Sequence, residues 1–150
     1  MTIDRTTSLF FDASCLVAAA GSPNGGSGFL LSLCAQGLLR GVVSQYVLLE
    51  AERNIQTRLS LSALNTYHNF VATIPFLVAS VPAPLPAYPT INAKDVHVVA
   101  ASVSASVPYL LTLDKKLMVE ISAGQFSFQA LTPGDFIKSV LPSHVEYPKI

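Results

Sequence analysis

Ser8-Leu9-Phe10-Phe11-Asp12 is a short apolar run that stops at an acid. Three bulky apolar residues in succession, with no polar alternation, suit a strand buried on both faces, as in a parallel sheet covered by helices. A second run of the same kind, Tyr109-Leu110-Leu111-Thr112-Leu113-Asp114, also ends at an aspartate. Open parallel sheets take their ligands beyond the carboxyl ends of the strands. Two strands that each end in an acid therefore put Asp12 and Asp114 at the same edge.

Outward from these runs the chain alternates. Residues 14–20 suit a short helix, 21–28 form a glycine- and serine-rich loop, and 29–39 suit an apolar helix with Gly37 near its end. Gly41 to Ser44 reads as a second strand, and Ser44 can cap a helix that runs to Arg58. A helix over 62–73, a strand over 76–81 and an extended proline-rich loop over 82–92 come next. Asn92 can cap a helix through Ser104. After Asp114 come a short helix over 115–123, a strand over 126–131 and a closing helix over 132–140. Short apolar strands alternating with helices predict an α/β fold, a Rossmann-like parallel sheet flanked by helices on both faces. No repeat or linker divides the chain, so 1–150 is read as a single domain.

Bulk properties narrow the function. Apolar residues make up 51% of the chain and charged residues only 12%, about half the usual charged share. A surface so poor in charge suggests cover by a partner or a second copy. Formal net charge is zero, so a nucleic-acid site would need a local basic patch. Cys15 and Cys34 form no CxxC pair and read as buried free thiols of a reducing compartment. The N-terminus has no signal-peptide pattern. Residues 59–93 lack charge, but five prolines break them, which leaves no apolar run long enough to span a bilayer. The expectation is a cytoplasmic protein with no membrane association.

Four of the nine acids map to one sheet edge: Asp12, Asp114, Glu50 shortly after the second strand, and Asp95 at a helix start, where the helix dipole favours negative charge. Carboxylates gathered this closely repel one another and call for a cation. An all-oxygen set favours Mg²⁺ or Mn²⁺, which can activate a water and clamp a phosphate. Each acid also has a plainer reading. Asp12 could cap a helix, Glu50 could pair with Arg53, Asp95 could be a helix-start acid, and Asp114 could belong to a turn. His97 reads as a helix residue facing polar neighbours or as a contact to the acids. The glycine-rich segment Gly21 to Gly28 lacks the lysine and hydroxyl pair of a P-loop and reads as a flexible loop.

The order of these segments resembles the PIN domains, and among them the toxin ribonucleases of prokaryotic toxin–antitoxin pairs. Leu9-Phe10-Phe11-Asp12-Ala13-Ser14 resembles the opening strand and first acid. Val43-Ser44-Gln45-Tyr46-Val47-Leu48-Leu49-Glu50 resembles the segment ending in the family's glutamate. Lys94-Asp95-Val96-His97-Val98-Val99-Ala100-Ala101 resembles the helix of the third acid. Tyr109 to Lys116 resembles the fourth strand and its acid, and Leu131-Thr132-Pro133-Gly134-Asp135-Phe136 the closing segment. The resemblance spans nearly the whole chain, although each motif alone is short. It implies Mg²⁺- or Mn²⁺-dependent RNA cleavage by Asp12, Glu50, Asp95 and Asp114, a cognate antitoxin and a homodimer. Ser14, Ser44, Lys94, Thr112, Lys115 and Lys116 lie beside the acids and are candidates for substrate contact. Lys116 and Leu117 stand where many members carry a further acid, which points to one metal or to weak metal holding. The alternative is a PIN-like module that binds RNA or protein without turnover. A third reading, a phosphatase or response-regulator-like domain with Asp12 as phosphate acceptor, leaves Glu50 and Asp95 without roles.

Overall fold

A computed structural model describes all of residues 1–150. Five strands form one parallel sheet: β1 (Ser8–Phe11), β2 (Arg40–Val43), β3 (Leu77–Val78), β4 (Tyr109–Leu111) and β5 (Gln129–Leu131), in the order β3-β2-β1-β4-β5. Seven α-helices accompany them: α1 (Ala13–Gly21), α2 (Gly26–Ala35), α3 (Gln45–Arg58), α4 (Leu61–Thr73), α5 (Val96–Ser104), α6 (Lys115–Ser122) and α7 (Pro133–Ser139). This is the α/β architecture expected from the sequence. No helix is long and apolar enough to cross a membrane.

The central strands explain why the sheet forms. Leu9, Phe10, Phe11, Leu110 and Leu111 are fully buried, so side chains on both faces of β1 and β4 meet helices rather than water. Burying each contributes roughly 1.5–3 kcal/mol. Leu9, Phe10 and Phe11 lie beside Tyr109, Leu110 and Leu111, a register that brings the carboxyl ends of the two strands level. The chain leaves β1 toward β2 on one side and reaches β4 on the other, so the crevice between β1 and β4 is the point where the strand order reverses.

The glycine-rich segment departs from its expected form. Residues 21–28 are not one loop: α1 runs to Gly21 and α2 begins at Gly26. Gly28 lies inside α2, where a Cβ would stand 2.0 Å from the carbonyl oxygen of Pro23. Glycine is required there by the close approach of the preceding turn, which composition alone does not reveal. At the other end of α2, Gly37 takes φ +76°, with Gly37 N–H bonding to Cys34 O and Leu38 N–H to Leu33 O. This pattern is the glycine-terminated helix end in which the orphan carbonyls are satisfied. The helix expected to reach Leu39 therefore stops at Ala35.

Three further elements are shorter than expected, among them β5, which keeps only Gln129–Leu131 of 126–131. β3 keeps only Leu77 and Val78 of 76–81, since it is an edge strand flanked by Pro75 and Pro82. The helix expected from Asn92 begins as a 3₁₀ turn, Ala93–Asp95, and becomes α-helical at Val96. Cys15 and Cys34 are buried and free, as read from the sequence. Burial pushes the Cys15 thiol far up and the Cys34 thiol up to about 12, which leaves both unreactive.

Candidate active site

Asp12 follows β1 and caps α1. Its Oδ1 accepts from the Ala13 N–H at 2.8 Å, and its Oδ2 accepts from the hydroxyls of Ser14 at 3.1 Å and Thr112 at 2.8 Å. The helix-cap reading is therefore correct, and it does not exclude the site reading, because these bonds also hold the carboxylate in one orientation. Burial raises the Asp12 pKa most, and the charge of Asp114 adds to it, against the lowering effect of the Thr112, Ala13 and Ser14 hydrogen bonds.

Thr112 ties the two strand ends together. Its hydroxyl donates to Asp12 and accepts from the Asp114 N–H at 3.0 Å. Asp114 in turn caps α6, its Oδ1 accepting from Leu117 N–H at 3.1 Å. Asp95 ends the 3₁₀ turn and precedes α5 without using its carboxylate as a cap. Its pKa is raised, first by burial and also by Asp114 and Asp12, while Lys94 opposes the rise. This carboxylate feels three others, Asp114, Asp12 and Glu120, and spends no oxygen on the helix, which leaves it free to accept a ligand. Glu50 sits two turns into α3, half exposed, with its Oε1 3.9 Å from His97 Nε2. It forms no ion pair with Arg53, which corrects the plainer reading of both residues. His97 is thus a neighbour of the acidic group; its ring also packs on Tyr46, with centroids 5.3 Å apart.

One cleft of 590 Å³ collects all four acids, together with Ser14, Val17, Arg53, Asn54, Arg58 and Lys94. A smaller hollow of 370 Å³ lies at the opposite edge near Arg5, Leu39 and Arg40. No group of acids lines it, and Arg5 is engaged there by Glu146 at 2.8 Å. Several expected substrate contacts need correction. Ser44 and Thr112 are fully buried; the first caps α3 through Val47 N–H at 3.3 Å and the second fastens Asp12, so neither reaches a substrate. Lys115 and Lys116 are exposed but do not line the cleft, whereas Lys94 and Ser14 do. Ser14 is partly spent on Asp12 and on the Leu113 N–H.

Arg53, Asn54 and Arg58 also line the cleft, although no motif in the sequence singles them out. Their spacing is the one signal: they follow Glu50 at spacings of three, four and eight, which is one face of a helix. Chemically, the cleft offers an all-oxygen donor set with no lysine or arginine ion-paired to it, which suits a hard divalent cation. The carboxylates stand apart, however, and no three of the chain's acid, histidine or cysteine side chains close into a ready ligand cluster.

No family model matches the sequence, and no curated protein matches it. The fold does find counterparts among solved structures. A chain of the VapBC2 complex from Rickettsia felis, solved bound to a DNA fragment from its promoter, superposes with a TM-score of 0.61 over 84% of this chain and 98% of that one, at 13% identity. The chain has the PIN fold of the VapC proteins. VapBC-1 from nontypeable Haemophilus influenzae matches this PIN fold at a TM-score of 0.54, 11% identity, and 85% and 99% coverage. VapC20 from Mycobacterium tuberculosis, described as a sarcin-ricin loop cleaving toxin, gives 0.52 and 17% over 81% and 98%. Identities this low speak for the fold only.

Proposed function

We propose that the protein is a divalent-metal-dependent endoribonuclease, the toxin of a toxin–antitoxin pair, that hydrolyses RNA phosphodiesters with a metal-activated water. One observation carries the reading: Asp12, Glu50, Asp95 and Asp114 line a single cleft where the strand order reverses. Mg²⁺ or Mn²⁺ held there would supply a water of lowered pKa and positive charge against the phosphate.

The chain's own residues do the rest. Asp12 is fixed by three hydrogen bonds and contributes an oriented oxygen. Asp95 and Asp114 border the same cleft from the residues just before α5 and α6. Glu50, half exposed and without a hydrogen bond, is free to swing toward a cation or to take a proton. Lys94, beside Asp95, offers a cation to the phosphate. A cognate antitoxin is the proposed partner, in keeping with the VapBC assemblies that share the fold. The free thiols of Cys15 and Cys34 suit a cytoplasmic setting. Exposed Tyr46, Leu49, Leu61 and Val71 on α3 and α4 favour a homodimer through that face.

The open spacing of the acids and Lys116 favour a second reading, a PIN-like module that binds RNA or protein without cutting. The test is cleavage of labelled RNA by purified protein with Mg²⁺ or Mn²⁺, beside Asp12→Ala. Loss of cleavage in the variant and in EDTA supports the nuclease; equal cleavage by both proteins means a contaminant. No cleavage of any RNA leaves the binding module in front.

A further inference from the structure

Seven of the chain's eighteen charged residues line one cleft: four of its nine acids and, as Arg53, Arg58 and Lys94, three of its nine cations. In a protein with so little charge this is a local concentration. The acids line the sheet edge, with Lys94 beside Asp95, whereas Arg53 and Arg58 continue from Glu50 along α3. Eight residues of helix between Glu50 and Arg58 span about 12 Å. Neither guanidinium has a carboxylate partner: the ion pairs of the chain are Arg5–Glu146, His68–Glu52 and the His97–Glu50 approach. Both arginines are exposed. A basic residue in the last turn of a helix is favoured by the helix dipole, which accounts for Arg58 alone. It explains neither Arg53, about one and a half turns earlier, nor why both side chains border the acids.

We infer that Arg53 and Arg58 form a phosphate track along α3 that holds the backbone of a single-stranded RNA next to the scissile phosphodiester. The inference rests on the nuclease reading and adds to it where the substrate lies. A phosphate at the acid end needs a cation between it and the carboxylates. A phosphate at the arginine end needs none, because a guanidinium fork matches two phosphate oxygens directly. The scissile group then belongs beside Asp12 and Asp114, and its neighbours along the strand belong over α3. Binding therefore divides into a metal-dependent part and a metal-independent part, and the arginines carry the second.

The division is measurable without turnover. Fluorescence anisotropy of a labelled single-stranded RNA in EDTA, titrated over salt, reads the number of phosphates neutralised. Each contact with a single strand adds about 0.7 to the slope of log affinity against log salt. Arg53→Gln with Arg58→Gln should lower the slope by about 1.4, and Arg53→Lys with Arg58→Lys should restore most of it. Lys115→Gln with Lys116→Gln removes the same charge outside the cleft and should leave the slope near wild type. An unchanged slope in the glutamine pair, an equal fall in the Lys115 and Lys116 pair, or no binding by wild type in EDTA overturns the track. A polyglutamate peptide that binds as tightly as the RNA also overturns it, in favour of an acidic protein segment. If the glutamine pair binds like wild type while Asp12→Ala still abolishes cleavage, the track fails and the nuclease stands. If the slope falls as expected but wild type cuts no RNA, the track holds and the nuclease fails.

Discussion

Replacing Asp12 by asparagine should flatten the pH dependence of stability in the metal-free protein. Asp12 is only 8% exposed, and burial, helped by the charge of Asp114, raises its pKa above the ordinary carboxylate value. The folded protein then keeps a proton on Asp12 at pH values where the unfolded chain has released it. Stability must fall as pH rises between the unfolded and the folded pKa, and level off above the folded one. One proton of difference corresponds to about 1.4 kcal/mol per pH unit inside that window. Asparagine suits the pocket: its Oδ1 still accepts from Ala13 N–H, and its amide meets the Ser14 and Thr112 hydroxyls, which rotate to accept. Asp95, also raised mainly by burial, contributes in the same direction from a more open position. Asp4, lowered by its Thr6 hydrogen bonds, and Glu146, lowered by Arg5, act in the opposite sense. These groups are common to both proteins, so the difference between variant and wild type isolates Asp12. Urea denaturation in EDTA from pH 4 to pH 8, a range set by the usual carboxylate pKa of about 3.9, reads that difference. It should grow in favour of the variant by up to about 1.4 kcal/mol per pH unit and then level off. A difference that is constant or shrinks as pH rises would show that Asp12 is ionised in the fold like an ordinary exposed acid, and the argument from burial would be wrong.

Four further outcomes are expected. Asp95→Asn should leave the metal-free fold as stable as wild type or slightly more so, because repulsion from Asp114 and Asp12 is relieved, while RNA cleavage is lost; a fall of about 3 kcal/mol or more in urea denaturation would instead mark a structural charge pair. His97→Ala should keep most of the cleavage rate, since its Nε2 stands 3.9 Å from Glu50, beyond hydrogen-bond distance, and its Nδ1 has no partner; a loss on the scale of Asp12→Ala would make it a participant. Gly28→Ala should cost stability, because overpacking against the Pro23 carbonyl, about 1–3 kcal/mol, outweighs the gain of about 1 kcal/mol in helix propensity; a raised Tm would mean the turn at Pro23 shifts freely. Light scattering should give the mass of two chains at micromolar concentration, and a monomer would remove the role proposed for the exposed face of α3 and α4.

The two strand–acid runs were legible because burial on both faces leaves an unmistakable apolar block, and because each block ends at a polar residue. The expected edge of the sheet follows from those blocks alone. Thr112 shows where such reading stops. Its role depends on β4 lying next to β1, a neighbour relation between residues a hundred positions apart that no local pattern encodes. Arg53 shows a different failure. Glu50 three residues away offers an obvious partner, and only the side-chain positions reveal that the pair does not form. The glycine-rich turn failed for a third reason, since glycine serves equally for loop freedom and for close packing, and Gly28 is there for packing.

The chain ends meet on the side of the sheet away from the cleft. Ile3 bridges His144, Val145 N–H bonds to Ile3 O, and Arg5 grips Glu146 through two hydrogen bonds. Met1 reaches the Tyr109 hydroxyl at the start of β4, whereas Asp114 lies past its finish. Anything attached to either terminus therefore departs from the back of the molecule. A fluorophore, an affinity handle or a surface tether placed there leaves the cleft facing open solution. The same adjacency makes the protein a candidate for circular permutation, with the old ends joined by a short linker and new ones opened in the proline-rich segment after β3.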